Sequence, residues 1–204
     1  MTDNIDKYNK GNATVKNGAD DQKSDKTDNL ENNIEDNERK MVDVIIPTYR
    51  PAKEFGELLH RLEKQEYRPN RILVMNTGKE YWNSEWENYP LLEVHHLDQK
   101  DFDHGGTRKR AAELSTADIM VFMTQDALPA DRKMIGNLVR AVSRNSGTGA
   151  AYARQLPKAD CRFLERYTRS FNYPEQSSVK SLPDVETYGI KTYFCSNVCA
   201  AYDR

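Results

Sequence analysis

From residue 41 onward, apolar residues come in two rhythms. Short continuous runs (VDVII at 42–46, RILVM at 71–75 and DIMVFM at 118–123) have the form of strands buried on both faces. Between them, apolar positions recur every three or four residues. Over 51–65 these are Phe55, Leu58, Leu59 and Leu62, a core-facing stripe with charges opposite; over 131–143 they are Met134, Leu138, Val139 and Val142. Pro47 and Pro51 predict a loop in which the first run leaves the sheet, and Asn76, Thr77 and Gly78 have the composition of a turn after the second. Weaker signals predict strands at 91–97, 148–153 and 191–202, a helix over 160–171 with Phe163, Leu164 and Tyr167 on one side, and a loop over 172–188. His95 and His96 read as a feature of a sheet edge, because alternate strand residues cannot share one metal ion. Residues 81–89 predict a short helix on which Trp82 and Trp86, one turn apart, pack together. Strands alternating with helices predict an α/β fold with a mainly parallel sheet. Its first strand, helix and second strand form a right-handed βαβ unit with both carboxyl ends facing one way.

Residues 1–40 break this pattern. They are rich in Asn, Asp and Lys, and isolated apolar residues such as Ile5, Val15 and Leu30 cannot bury enough surface to offset the entropy of ordering. A disordered polar tail is expected there, without the apolar core of a targeting signal, and a domain over 41–204. The net charge of -2 and pI near 6.1 exclude a strongly basic nucleic-acid binder. Cys161, Cys195 and Cys199 read as free thiols of a reducing compartment and are too few for a structural zinc site. No apolar run is long enough to span a membrane, and no basic amphipathic helix argues for contact with one. The expected setting is cytoplasmic.

Candidate chemistry gathers in 101–129, DFDHGGTRKRAAELSTADIMVFMTQDALP. A small-residue turn, His104, Gly105, Gly106 and Thr107, is followed by Arg108, Lys109 and Arg110, then by a helix-prone AAEL and a strand that surfaces at Thr124, Gln125 and Asp126. Cations at a helix start are disfavoured unless an anion compensates, so the order suggests an anion site. Ligands of open α/β sheets bind at the carboxyl ends of strands, where Asp126 sits. Asp126 as ligand residue and Asp126 as cap of the following helix both fit, and Asp131 is better placed for the cap. Arg154 and Gln155 stand at another strand end. Neither a GxGxxG fingerprint nor a GK[ST] loop occurs, which disfavours a Rossmann oxidoreductase and a P-loop enzyme.

These pieces resemble glycosyltransferase family 2, across about residues 42–204. The resemblance implies the GT-A fold, a nucleotide-diphospho-sugar transferase with a Rossmann-like sheet flanked by helices. VIIPTYRP is similar to the family's opening strand and nucleotide loop, which implies Pro47, Thr48 and Tyr49 beside base and ribose. HGGTRKRAAELSTADIMVFMTQDALP is similar to the segment that ends in the family's Asp-X-Asp metal motif. Arg108 falls on its arginine, with His104, Gly105 and Gly106 close to the diphosphate, and Asp126 falls on its last acid, implying Mg²⁺ or Mn²⁺. Thr124 replaces the first acid, so metal affinity leans on the diphosphate. Asn76 and Thr77 stand where many members carry a base-contacting Asp. RQLP, with Arg154 and Gln155, TQDA, with Gln125, and YFCSNVCAAYDR are similar to the rhamnosyltransferase branch. That branch uses dTDP-L-rhamnose to build cell-wall and surface polysaccharides. The implied partners are a nucleotide-sugar donor and a glycan or lipid-linked glycan acceptor, with peripheral contact at the inner face of a membrane. The family's catalytic base, which would activate the acceptor in an inverting transfer, is expected beyond Arg204. A nucleotide-binding module that keeps the fold without turnover is the alternative.

Overall fold

The computed structural model describes residues 39–204 except 145, 146 and 159; the expected tail lies outside the described residues, apart from Arg39 and Lys40. Four strands, β1 (Val42–Tyr49), β2 (Arg71–Thr77), β3 (Leu92–Leu97) and β4 (Ile119–Met123), lie parallel in the order β3-β2-β1-β4. β5 (Ala150–Tyr152) and β6 (Cys199–Asp203) complete a six-stranded sheet. β6 inserts between β4 and β5 and runs antiparallel to both.

One face of the sheet is covered by α1 (Phe55–Glu63) and α3 (Met134–Ser143), whose Phe55, Leu58, Leu59, Leu62, Ile135, Leu138 and Val142 pack on Val44, Ile46, Val74 and Val121. The other carries α2 (His104–Leu114), where Ala111 meets Ile45, Leu73 and Met75. The continuous apolar runs thus predicted central strands correctly, with one modification. Ile119, Val121 and Met123 are buried, but Met120 and Phe122, on the α2 face, are only half-buried. Trp82 and Trp86 form the expected packing pair, 4.9 Å apart and edge to face. The element beneath them is a pair of 3-10 turns, Lys79–Tyr81 and Ser84–Asn88, instead of a helix.

Four further expectations are corrected. β1 continues through Pro47 to Tyr49. Its ladder to β4 ends at Ile45↔Phe122, so beyond that point β1 is paired on the β2 side only and tolerates a residue without an N–H. β2 likewise continues through Asn76 and Thr77, and the turn begins at Gly78, whose φ of 81° needs glycine. The last strand starts at Cys199; residues Gly189–Tyr193 form a 3-10 turn. Within the expected loop at 172–188 lie a 3-10 turn, Leu182–Asp184, and the short helix α5 (Val185–Tyr188).

The amino-terminal edge of the sheet is held by one buried acid. Asp43, fully buried, accepts from Arg71 Nε at 3.0 Å, Asn70 Nδ2 at 3.1 Å and Ser115 Oγ at 2.7 Å. Arg71 also donates to Glu93 at 2.6 Å and to the Leu114 carbonyl at 2.6 Å. Strands β1, β2 and β3 and the end of α2 are thereby tied at the edge opposite the candidate site.

Candidate functional site

Because β1 to β4 are parallel, their carboxyl ends share one edge, and α2, which returns from that edge, places its first turn there as well. In-register pairing aligns Thr48, Asn76 and His96 across β1, β2 and β3. The Thr48 hydroxyl donates to Asn76 Oδ1 at 2.9 Å, and Asn76 Nδ2 donates to the Gly78 carbonyl at 3.2 Å and meets His96 Nδ1 at 3.0 Å. Burial, reinforced by the nearby Lys79 ammonium, holds His96 below the ordinary imidazole value. A neutral ring accepting from the amide fits that shift. Asn76, fully buried, therefore has both amide hydrogens committed within the protein. His95, one residue back and on the opposite face, turns instead to Glu93 at 2.7 Å.

Gln125 closes the gap left where the β1–β4 ladder ends. Its side chain accepts from the Tyr49 N–H at 2.8 Å and donates to the Tyr49 carbonyl at 3.1 Å. Beside it, Arg50 adopts φ 48°, the only described non-glycine residue with positive φ. Its guanidinium lies 4.4 Å from the Tyr81 ring centroid and 5.1 Å from that of Tyr49, and it donates to the Tyr81 hydroxyl at 2.7 Å. Arg50 and Tyr81 were not predicted as site residues. The signal was the position of Arg50 directly after the strand end, but the pairing with Tyr81 is non-local.

His104, Gly105, Gly106 and Thr107, expected as a turn ahead of a helix, are instead the first turn of α2. Asp103 caps it by accepting from the Gly106 N–H at 2.5 Å, and a Cβ at Gly106 would come within 3.1 Å of that carboxylate oxygen. Asp103 is thus an anion that already compensates the helix start. Lys109 turns away to pair with Glu113 at 2.5 Å. Arg108, half-buried, donates to the His104 carbonyl at 3.0 Å and lines a cavity of about 290 Å³ with Met120, Phe122, Asn197, Ala200 and Tyr202. Burial, together with a hydrogen bond to the Cys195 thiol, pushes the Tyr202 hydroxyl up to about 12, with Arg108 acting in the opposite sense. The wall contributed by Tyr202 was not foreseen, because it depends on β6 lying next to β4.

Asp126 is exposed, three residues past β4, and does not line this cavity. Arg108 and Asp126 do not pair directly. Among the described residues no group of three His, Cys, Asp or Glu side chains is gathered to hold a metal. The buried hydroxyls of Thr77, Thr107 and Thr124, at the ends of β2 and β4 and in the first turn of α2, have no hydrogen-bond partner among the described residues. Arg154 is exposed. Gln155 is engaged elsewhere: it donates to the Tyr173 hydroxyl at 2.6 Å and the Ser196 hydroxyl at 3.0 Å and accepts from Arg169. Pro47, Thr48, Tyr49, Asn76, Thr77 and Gln125 thus share the edge, while Arg154 and Gln155 belong to the β5 side of the sheet.

The sequence model described as "Glycosyl transferase family 2" matches residues 43–204. The chain belongs to this family. It is 39% identical over 170 residues, 80% of this chain and 52% of the relative, to "O-antigen chain rhamnosyltransferase RfbN" of Salmonella typhimurium. To "O-antigen chain rhamnosyltransferase WbaN" of Salmonella anatum it is 30% identical over 163 residues, 79% of this chain and 51% of the relative. The chain spans about half the length of these curated relatives. Among solved structures, "Mannosyltransferase PcManGT from Pyrobaculum calidifontis in complex with GDP-Man and Mn2+" superposes with TM-score 0.56 at 20% identity, covering 81% of this chain and 45% of that one. Mannosyl-3-phosphoglycerate synthase from Rubrobacter xylanophilus gives TM-score 0.50 at 12% identity, with coverages of 80% and 54%. Like these glycosyltransferases, this family 2 chain has the GT-A fold, as expected from its sequence.

Proposed function

We propose that residues 41–204 are the nucleotide-sugar-binding domain of an inverting glycosyltransferase. It transfers rhamnose from dTDP-L-rhamnose, or a similar donor, to a surface-polysaccharide acceptor in the cytoplasm. The observation that carries this reading is the identity to two O-antigen rhamnosyltransferases across the stretch that builds the carboxyl edge. Pro47, Thr48 and Tyr49 line the base and ribose, with Thr77 beneath them and Asn76 holding Thr48 in place from within the sheet. Gln125 fixes Tyr49 through its main chain. The first turn of α2, with His104, Gly105 and Gly106 beside the Asp103 cap, and Arg108 take the diphosphate; the guanidinium favours the anion. Arg154 and Gln155 serve the sugar or acceptor side.

Asp126 would hold a Mg²⁺ or Mn²⁺ ion, which, when bound, neutralises charge on the departing diphosphate. Transfer also requires an acceptor hydroxyl to lose its proton, and no residue of this chain is assigned that role. Calorimetry with dTDP and UDP, with and without Mn²⁺, tests the reading. Metal-dependent binding by the wild type that is abolished in Asp126→Ala supports it. Equal binding in that variant removes Asp126 from the site, and no nucleotide binding at all overturns the assignment. Binding without donor hydrolysis or transfer would favour the non-catalytic nucleotide-binding module.

A further inference from the structure

Arg50 is a cation that no acid answers. It follows β1 directly, is exposed, and pairs with no carboxylate among the described residues. Its side chain is nonetheless held in place. The guanidinium packs over Tyr81 and Tyr49, whose rings meet edge to face with centroids 6.3 Å apart, and one of its N–H groups goes to the Tyr81 hydroxyl. The remaining N–H groups meet no acceptor among the described residues. Both rings are fixed from behind. Gln125 binds the main chain of Tyr49, and the Gly78 carbonyl, which accepts from Asn76 Nδ2, also accepts from the Tyr81 N–H at 3.2 Å. Gly78 leaves room for the Tyr81 ring, which a Cβ at that position would meet at 2.9 Å. The backbone of Arg50 is itself in the left-handed region, at φ 48°. Strain of that kind persists where surrounding contacts impose it, and it gathers at ligand sites.

A guanidinium donates hydrogen bonds and accepts none, so a ligand for these free N–H groups must bring acceptors. Position along the sheet says which acceptors. Arg108, proposed to take the diphosphate, lines the cavity walled by β4 and β6, whereas Arg50 leaves the end of β1 and Tyr81 follows β2. In the order β2-β1-β4-β6 these two places are two strand spacings apart, about 10 Å. A nucleotide separates its phosphates from the far edge of its base on that scale. We propose that Arg50, held by Tyr49 and Tyr81, reads the base of the donor and selects a dioxo pyrimidine, uracil or thymine, through its carbonyl oxygens. Cytosine, in which an amino group replaces one carbonyl, sets N–H against N–H there and leaves the guanidinium without its acceptor. The inference rests on the nucleotide-sugar reading and adds to it the residue that chooses the base.

Titration calorimetry of the full chain with UDP, CDP and inorganic pyrophosphate, each with Mg²⁺, tests it. UDP and CDP differ only along one edge of the base, and pyrophosphate has no base. The wild type is expected to bind UDP at least about tenfold more tightly than CDP. Arg50→Ala is expected to weaken UDP about ten- to hundredfold, to bring UDP and CDP to similar affinities, and to leave pyrophosphate within about twofold of the wild type. Arg50→Gly takes up φ 48° without strain and should match Arg50→Ala, because the guanidinium and not the backbone makes the contact. Equal binding of UDP and CDP by the wild type overturns the proposal. So does a parallel loss of pyrophosphate binding in Arg50→Ala, which would make Arg50 a phosphate ligand. A wild type that binds none of the three overturns it together with the donor-site reading, whereas UDP binding that survives in either variant overturns it alone.

Discussion

Replacing Gln125 with alanine removes the two hydrogen bonds that join Tyr49 to the end of β4. No ladder hydrogen bond substitutes for them, because β1–β4 pairing ends at Ile45↔Phe122. A net value of about 0.5–1.5 kcal/mol per hydrogen bond, taken toward the lower end because the site is open to solvent, gives a loss of about 1–2 kcal/mol. If the loss is local, the Tyr49 amide in Gln125→Ala exchanges with solvent about five- to thirtyfold faster, as read by hydrogen exchange, while amides of β2 are unchanged. Because Tyr49 is proposed to border the nucleotide, dTDP affinity is expected to fall by a similar factor as binding takes up the cost of ordering the edge. Gln125→Glu keeps an acceptor for the N–H but sets a carboxylate against the Tyr49 carbonyl, and should retain amide protection better than the alanine variant. Unchanged exchange at Tyr49 in Gln125→Ala would refute the clamp. Faster exchange with unaltered nucleotide affinity would separate the clamp from the binding edge.

Other outcomes follow from the same contacts. Asp43→Ala leaves Arg71 facing a buried void and is expected to cost about 3–5 kcal/mol in urea denaturation, without a comparable effect on nucleotide affinity at the far edge. Gly78→Ala forces a side chain into φ 81° with its Cβ 2.9 Å from the Tyr81 ring, and should lower the urea midpoint by the equivalent of about 1–2 kcal/mol or more. His96 has a folded-state value below its ordinary 6.5, so the unfolded chain takes up the proton first as pH falls. Its contribution is full above pH 6.5 and is lost as pH drops through the folded value. A His96→Gln variant should therefore show a shallower fall in denaturation midpoint below that pH than the wild type.

What could be read from the sequence divides along the range of the interactions involved. Val44, Ile45 and Ile46, or Leu73 and Val74, announce central strands because burial on both faces imposes a local, unbroken apolar run. The stripe of Phe55, Leu58, Leu59 and Leu62 is equally local. The resemblance carried by the segments ending at Tyr49 and Asp126 located the edge of the sheet on which the candidate site is built. Strand ends were misjudged where long-range pairing outweighed local composition. Asn76 has turn chemistry in isolation, but Thr48 and His96 on both sides keep it in the sheet. The buried Asp43 was invisible because its partners Arg71 and Ser115 are distant in sequence. For α4 (Phe163–Asn172) the sequence supplied a helix with Phe163, Leu164 and Tyr167 on one side; the helix is there, and those residues are exposed.

The insertion of β6 between β4 and β5 imposes an order of assembly. β5 precedes β6 along the chain, yet its described backbone pairing is entirely with β6, from Ala150↔Tyr202 to Tyr152↔Ala200. Until residues 199–203 arrive, β4 keeps an unpaired edge and β5 has no ladder to join, so the wall that Tyr202 and Ala200 give the Arg108 cavity closes late. A nascent chain caught short of those residues would present β4 as an open template, the kind of edge that recruits a neighbouring chain.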